Sequence, residues 1–518
     1  MENHGEPDRL NEQKSVPTGG NLKHAMAASY AVQIYSALIG VVMMPVYLRY
    51  LGAESFGLVG FFAMLQTWLM LFDLGLTPTL SRQMACYKAG TLSEQALREL
   101  LRTLEWLFGA LAAVTTLVGI SVSSWVALKW LQLDHLKPDV VAACVAMMAL
   151  MAGMKWMSGL YRSGLVGLEQ QTLTNGINAM MTTGRFIGVL PWLMFVSASP
   201  LMYFSYQLAM FVIEFAIYWH FLGQRLGRAQ ARIRLSTSAL KEVLPFAMSL
   251  ALTNAIWIFT MNLDKLILSH FLSLRDYGYF SIAITVAGGI LVLIAPVSQV
   301  ILPRLTILFS QGREEQEIVL FREASQFAGG LMAAVSVNVA AFAQPLLLAW
   351  TGDADLAAKA APILCWYAVG NGIVGVLTMP YLIQHASGNL RLHVLGNMIF
   401  SCLQIPCIFY AAQSFGAVGT GLIWVGANVL ALLAWMPVVF RHYLQGLYFE
   451  WLTKDVLLLA AAAGLPVLLF VNFCTFSASR LSIAFELMLV GGVSLILAWM
   501  SGGSTRARLL GAIRAARS

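Results

Sequence analysis

The stretch Tyr47-Leu-Arg-Tyr-Leu-Gly-Ala-Glu-Ser-Phe-Gly57 closes one long apolar run and opens the next. A second stretch, Ser269-His-Phe-Leu-Ser-Leu-Arg-Asp-Tyr-Gly278, does the same between two later runs. In each, a short loop with an acidic residue leads into an aromatic-glycine pair. The apolar run that follows ends on an arginine, Leu80-Ser-Arg82 in the first copy and Leu302-Pro-Arg304 in the second. The aromatic-glycine pairs lie 221 residues apart and the closing arginines 222. Self-similarity at a fixed spacing marks an internal repeat. The copies are six spans apart, so both cross a bilayer in the same sense. That predicts two parallel six-helix lobes related by an axis along the membrane normal, an arrangement common among transporters.

Composition agrees with a chain dissolved in lipid. Hydrophobic residues make up 59% of the 518 and charged residues 11%, with a mean hydropathy of +0.73. A soluble domain carries about 25% charge. A soluble enzyme, a disordered protein and a nucleic-acid-binding domain are excluded on that ground. A bilayer core takes about 20 apolar residues per helix, and about fourteen such runs are legible. The fold class is an all-α integral membrane protein of about fourteen transmembrane helices, two six-helix lobes plus two C-terminal helices. Several predicted spans matter below: 27–48, 57–81, 172–196, 243–270, 278–302, 393–414, 417–440, 455–474 and 482–501. The domain reading is a polar cytoplasmic tail at 1–24, lobes at 25–235 and 236–445, an appended helix pair at 446–501 and a basic cytoplasmic tail at 502–518. The first apolar run is too long and begins too late for a cleavable signal peptide.

The net charge of +7 reports topology. With the N-terminus inside, 23 of the 32 lysines and arginines fall on cytoplasmic segments and six on outside loops. This is the positive-inside asymmetry, and it predicts that both termini are cytoplasmic. The six cysteines show no CxxC or Cys/His spacing, so neither a metal site nor a disulfide framework is expected. No lysine follows a glycine, which excludes a Walker A loop, and neither HExxH nor GxSxG is present. The expectation is a non-enzyme without a cofactor, driven by an ion gradient, the membrane potential or substrate supply.

Charged groups within spans are costly and face a partner or a cavity. They are Asp73, Lys155, Arg185, Glu214, Asp264, Lys265 and Glu486. Polar residues recur at i and i+7, which share a helix face. Gln66 pairs with Asp73, Asn178 with Arg185, and Gln207 with Glu214. Asn371 pairs with Thr378, and Asn397 with Gln404, while Asn254, Met261 and Lys265 lie on one side of their helix. Such stripes are satisfied by a water-filled lumen. Arg185 sits mid-span between small neighbours, Gly184 and Gly188, and its planar fork suits phosphate oxygens. The candidate substrate-binding residues are Arg185, Lys265, Arg49, Asn178, Asn254 and Gln66. The candidate ion-coupling carboxylates are Asp73, Glu214 and Asp264.

Several stretches are similar to the polysaccharide-transport (Wzx-type O-antigen) flippases of the multidrug/oligosaccharidyl-lipid/polysaccharide (MOP) exporter superfamily. They are the Tyr47–Gly57 stretch, Phe72-Asp-Leu-Gly-Leu76, Tyr161-Arg-Ser-Gly-Leu-Val-Gly-Leu-Glu-Gln170, Leu263-Asp-Lys-Leu-Ile-Leu268 with Tyr277-Gly-Tyr-Phe280, and Phe415-Gly-Ala-Val-Gly-Thr-Gly421. The resemblance implies a flippase of the bacterial inner membrane. Its substrate would be an undecaprenyl-diphosphate-linked oligosaccharide, an O-antigen or exopolysaccharide repeat unit of lipopolysaccharide-type biosynthesis. Its partners would be membrane lipids, a polysaccharide polymerase and a chain-length regulator, with no nucleic acid. The competing reading is an ion-coupled drug or metabolite exporter of the same superfamily.

Overall fold

In hydrocarbon no water is at hand for backbone N–H and C=O groups, so a spanning segment satisfies them within a helix. The chain follows that constraint throughout. The computed structural model describes residues 19–73, 75–226, 237–477 and 479–503. The predicted tails beyond those limits, and the basic cluster Arg228, Arg232 and Arg234, lie outside the described residues.

The helices are α1 (Gly19–Leu69), α2 (Leu76–Lys88), α3 (Glu94–Trp125), α4 (Pro138–Gly167), α5 (Gln171–Phe186), α6 (Leu190–Phe195) and α7 (Pro200–Leu226). The second half begins α8 (Thr237–Phe271), α9 (Leu274–Val292), α10 (Ala295–Ser310), α11 (Glu314–Ala341), α12 (Ala343–Thr351) and α13 (Ala354–Ala386). It ends α14 (Arg391–Leu430), α15 (Met436–Tyr443), α16 (Tyr448–Glu450), α17 (Leu458–Phe473) and α18 (Arg480–Ser501). Among the described residues, ten stretches are long and apolar enough to cross a membrane. Two of these each hold a pair of spans. At Gly52 (φ 76°, ψ 164°) α1 turns, and at Gly416 (φ 58°, ψ −145°) α14 turns, both in regions that only glycine enters freely. With the interrupted α5–α6 and with α8, the fourteen spans of the sequence reading are all present as helices.

Three predicted spans are not single helices. The run at 57–81 breaks at a 3₁₀ turn, Met70–Asp73, followed by left-handed Gly75. The run at 278–302 breaks at Leu293–Ile294, before Pro296, which has no N–H to continue the ladder. The two breaks sit at corresponding positions of the repeat. The run at 172–196 breaks between Phe186 and Leu190.

The chain forms two compact units. The first comprises Met1–Val46, Phe72–Ser123 and Ala143–Ala251, the second Tyr47–Leu71, Ser124–Ala142 and Leu252–Ser518. Within the second unit the two aromatic-glycine pairs meet. A Cβ on Gly57 would strike the carbonyl oxygen of Leu274, and a Cβ on Gly278 would strike that of Ala53. Each glycine faces the carbonyl four residues before its counterpart, so the contact is reciprocal between the repeat copies. Tyr277 and Phe56 flank it, both almost fully buried. Glu54, also buried, accepts hydrogen bonds from the backbone N–H groups of Asp134, His135 and Leu136 at 2.8–3.1 Å, which pins the loop between α3 and α4.

The second unit also explains how the last two helices are held. Asp455 is completely buried in a π-helical segment, Trp451–Leu457. It accepts two hydrogen bonds from Arg322 (3.1 and 3.2 Å) and one from Gln326 (2.8 Å), both on α11. Arg322 also pairs with Glu450 at 2.7 Å. Gly329 of α11 lies against the Asp455 carbonyl, and Gly330 against the indole of Trp499 on α18. That indole stacks on Phe327 at 4.9 Å and donates to the Phe327 carbonyl. Between them Ala333, Ala334, Ala463 and Ala498 form a small-residue core, the close packing that associates helices in lipid.

Two expectations follow. A Gly278→Val substitution forces the two repeat copies apart and lowers the melting temperature of the purified protein in detergent, with a loss on the order of 2 kcal/mol from overpacking. Asp455→Ala takes the buried partner from Arg322 and Gln326, leaves Arg322 to Glu450, and costs about 2 kcal/mol. The paired change Arg322→Met with Asp455→Leu recovers part of that loss, read from the same melting curves.

Candidate functional site

The site grows from the end of α5. A helix that stops inside a membrane leaves its last carbonyls without N–H partners. Here α7 supplies them. Tyr206 donates its hydroxyl to the Gly184 carbonyl at 2.8 Å, and Gln207 donates its amide to the Arg185 carbonyl at 3.1 Å. The approach is close because Gly184 faces the Met210 methyl and Gly188 faces the Tyr206 hydroxyl. One turn of side chains further along α7, Phe211 lies under the Arg185 guanidinium at 4.1 Å, a cation–π contact. Glu214 forms an ion pair with the same guanidinium. The Arg185 side chain keeps 23% of its exposure, and its Nε makes no hydrogen bond among the described residues. The cation is held in position from below and from one side, with donor capacity in reserve.

Other cations gather there. Lys155 on α4 lies within electrostatic range of both Arg185 and Arg162. Tyr203 and Tyr218 on α7 line the same region. Neither Lys155 nor Arg162 is among the binding candidates of the sequence reading: Lys155 counts there as an intramembrane charge and Arg162 as one of the cytoplasmic-segment charges. The signal that could have found them is the Tyr161-Arg162 position within the quoted Tyr161–Gln170 stretch.

The other expected residues divide between the units. Asn178 is half-buried on α5, one i+7 step from Arg185. Asp73 stands at the break before α2 and accepts the Thr77 hydroxyl, so it caps the start of that helix. The Gln66–Asp73 stripe does not continue as one helix face, because the 3₁₀ turn and Gly75 interrupt it. Gln66 itself is half-buried and Arg49 is exposed, both in the second unit. The Asn254 side chain lies outside the described residues.

Asp264 and Lys265 adjoin in sequence, yet no ion pair joins them among the described residues. Successive residues on a helix point about 100° apart. Asp264 turns inward and accepts the Tyr367 hydroxyl at 2.5 Å, with Thr420 at 3.3 Å from that hydroxyl. Lys265 folds its ammonium back onto its own helix, onto the Met261 carbonyl and Asn262 Oδ1, both at 2.7 Å. Two of its three donors are thereby used. Glu486 accepts from Ser477 near the N-terminal end of α18. The second unit also holds a cavity with mostly apolar walls, to which Thr378, Asn397 and Gln404 from the predicted stripes contribute polar groups.

No group of three or more His, Cys, Asp or Glu side chains converges as a metal site among the described residues. What the arrangement offers is a cluster of fixed cations in a helix bundle, one of them already paired to an exchangeable carboxylate.

Comparison with known proteins places the architecture. The chain is similar in structure to the lipid II flippase MurJ in an inward closed conformation, with a TM-score of 0.72 at 13% identity, over 91% of this chain and 98% of that one. It is similar to a multidrug resistance MATE family transporter of the MOP superfamily in its inward-facing conformation, with a TM-score of 0.64 at 12% identity, over 79% and 96% of the two chains. At these identities the likeness concerns the fold. No curated protein matches the chain in sequence. The family model described as polysaccharide biosynthesis protein matches residues 23–309, more than half of the chain and all of the Arg185 cluster. The chain belongs to the polysaccharide biosynthesis protein family and is a multi-pass membrane protein with the fold of the MOP-superfamily transporters.

Proposed function

We propose that the protein is a flippase for an undecaprenyl-diphosphate-linked oligosaccharide, an O-antigen or exopolysaccharide repeat unit. It carries the headgroup from the cytoplasmic to the periplasmic leaflet of a bacterial inner membrane, by alternating access, with both of its own termini in the cytoplasm. A polymerase and a chain-length regulator would act on its product. The observation that carries this reading is the Arg185 cluster: a guanidinium within a transmembrane helix, braced by Phe211 and Glu214, with Lys155 and Arg162 in electrostatic range. Charge at that depth is expensive unless it has work to do. A diphosphate is the matching anion, since a guanidinium fork presents parallel donors to phosphate oxygens.

The mechanism follows from the pairing. With no substrate present, Glu214 neutralises Arg185. An arriving diphosphate takes over the guanidinium, and Glu214 is left beside a second anion in a low-dielectric site. Like charges at close range favour protonation of one of them. Glu214 therefore takes up a proton as the substrate binds and gives it back when the diphosphate leaves. Substrate movement is coupled to a proton at one residue. Asp73 and Asp264 are engaged in capping and in the Tyr367 bond, and take no part in this step. The lipid tail stays in hydrocarbon while only the polar headgroup needs shelter. An exporter of cationic drugs would place its carboxylates free and its arginines elsewhere, whereas here the carboxylate is spent on the arginine.

Arg185→Ala is expected to abolish surface polysaccharide in a strain that depends on this chain, with normal amounts of protein in the membrane. Arg185→Lys should retain a minor fraction, because a point ammonium replaces the fork. Unimpaired polysaccharide in Arg185→Ala cells overturns the assignment. For Glu214→Gln, transport in proteoliposomes should persist but lose its response to an imposed proton gradient. A gradient response equal to wild type removes Glu214 from the coupling step.

A further inference from the structure

The Arg185 cluster accounts for a diphosphate but for no sugar. The second unit holds a cavity of about 550 Å³ walled by α8, α13, α14, the π-helical segment Ala431–Trp435 and α15, within the volume range of small-molecule sites. Among the described residues its lining contains no Asp, Glu, Lys or Arg. In their place stand four amide side chains, Gln384, Asn397, Gln404 and Asn428, with Trp424, Trp435, Tyr381 and Phe400.

The aromatic rings are fixed in advance. Trp424 lies against Gly370, and its indole N–H donates to Asn371 at 3.1 Å. Asn371 in turn donates to the Ala287 carbonyl at 2.9 Å. Trp435 lies against Gly396 and meets Phe400 edge-on. It is the last residue of the π-helical segment, a helix defect that recurs at functional sites because it re-aims a side chain. Tyr381 lies against His393 at 4.5 Å with the rings tilted by 46°, and His393 Nε2 is 3.1 Å from the Asn397 amide nitrogen.

Gln384 supplies the independent sign of a ligand. The residue is 1% exposed, its amide nitrogen donates to the Pro380 carbonyl, and its Oε1 has no hydrogen-bond partner among the described residues. A buried acceptor left unpaired is costly, and native proteins retain one where something else completes it. The cavity it borders is where a donor would come from.

We propose that this cavity binds the uncharged sugar rings of the substrate. Hydroxyl groups donate to and accept from amides, and the C–H faces of a pyranose lie flat on aromatic rings, whose electron-rich faces attract them. The absence of lining charge disfavours a diphosphate, and rigid indoles with neutral amides suit a polyhydroxylated ring. This inference rests on the flippase reading, and it concerns the second unit's cavity alone.

The test uses the full chain in lauryldimethylamine oxide, a detergent without a sugar headgroup. Two probes are titrated, with tryptophan fluorescence and native mass spectrometry as readouts. One is undecaprenyl diphosphate. The other is the pool of lipid-linked oligosaccharides extracted from the cell in which the chain is native. Wild type should bind the glycan-bearing lipids at least tenfold more tightly. Gln384→Leu and, separately, Asn397→Leu should erase that preference while binding undecaprenyl diphosphate within twofold of wild type, at unchanged melting temperature. Should Gln384→Leu unfold the protein, Asn397→Leu alone decides. A wild type without the tenfold preference, or a folded variant that keeps it, overturns the assignment of the cavity and leaves the flippase reading intact. A wild type that binds neither lipid fails the flippase reading itself.

Discussion

A polar group carried into hydrocarbon has to be answered within the protein, because no water is there to answer it. That single constraint arranges most of what has been described. The carbonyls released where α5 stops are met by Tyr206 and Gln207. The guanidinium of Arg185 is met by Glu214 and a ring face. The carboxylate of Asp455, without any exposure, is met by Arg322 and Gln326. Where the demand is met in full, as at Asp455, the result is a fixed joint. Where it is met in part, as at Arg185 Nε and Gln384 Oε1, capacity is left for a ligand.

Much of the fold was legible because its signals are local. Apolar runs of the right length specify the spans from the letters alone, and the two aromatic-glycine pairs 221 residues apart mark the glycines that meet. The breaks were less legible. Pro296 is a plain stop signal for the helix around it, but the break at Asp73–Gly75 needs a left-handed glycine that a hydropathy count passes over. The Gly52 and Gly416 turns sat correctly at predicted span ends, since glycine there interrupts an apolar run.

The site was legible by face and not by partner. Heptad spacing put Gln207 and Glu214 on one side of a helix, and both do turn toward Arg185. The same spacing put Thr378 on α13, and Asn397 and Gln404 on α14, and these stripes meet in one cavity. Asp264 and Lys265 are neighbours in the sequence, yet the rotation along a helix sends one to Tyr367 and the other to its own backbone. Lys155, though read as an intramembrane charge, and Arg162 were not placed beside Arg185, because that depends on which helix lies beside α4, and no periodicity encodes it.

The meeting of Gly57 with Gly278 carries an implication about origin. Each glycine lies on the carbonyl four positions ahead of the other, so the contact maps onto itself when the halves are exchanged. Self-complementary contacts are the signature of two-fold association between identical chains. A half-length ancestor bearing one aromatic-glycine pair would have formed this same seam by dimerising. Fusion of two such genes would then have preserved an interface that already existed, and thereafter freed one half to acquire arginine and the other to acquire tryptophan.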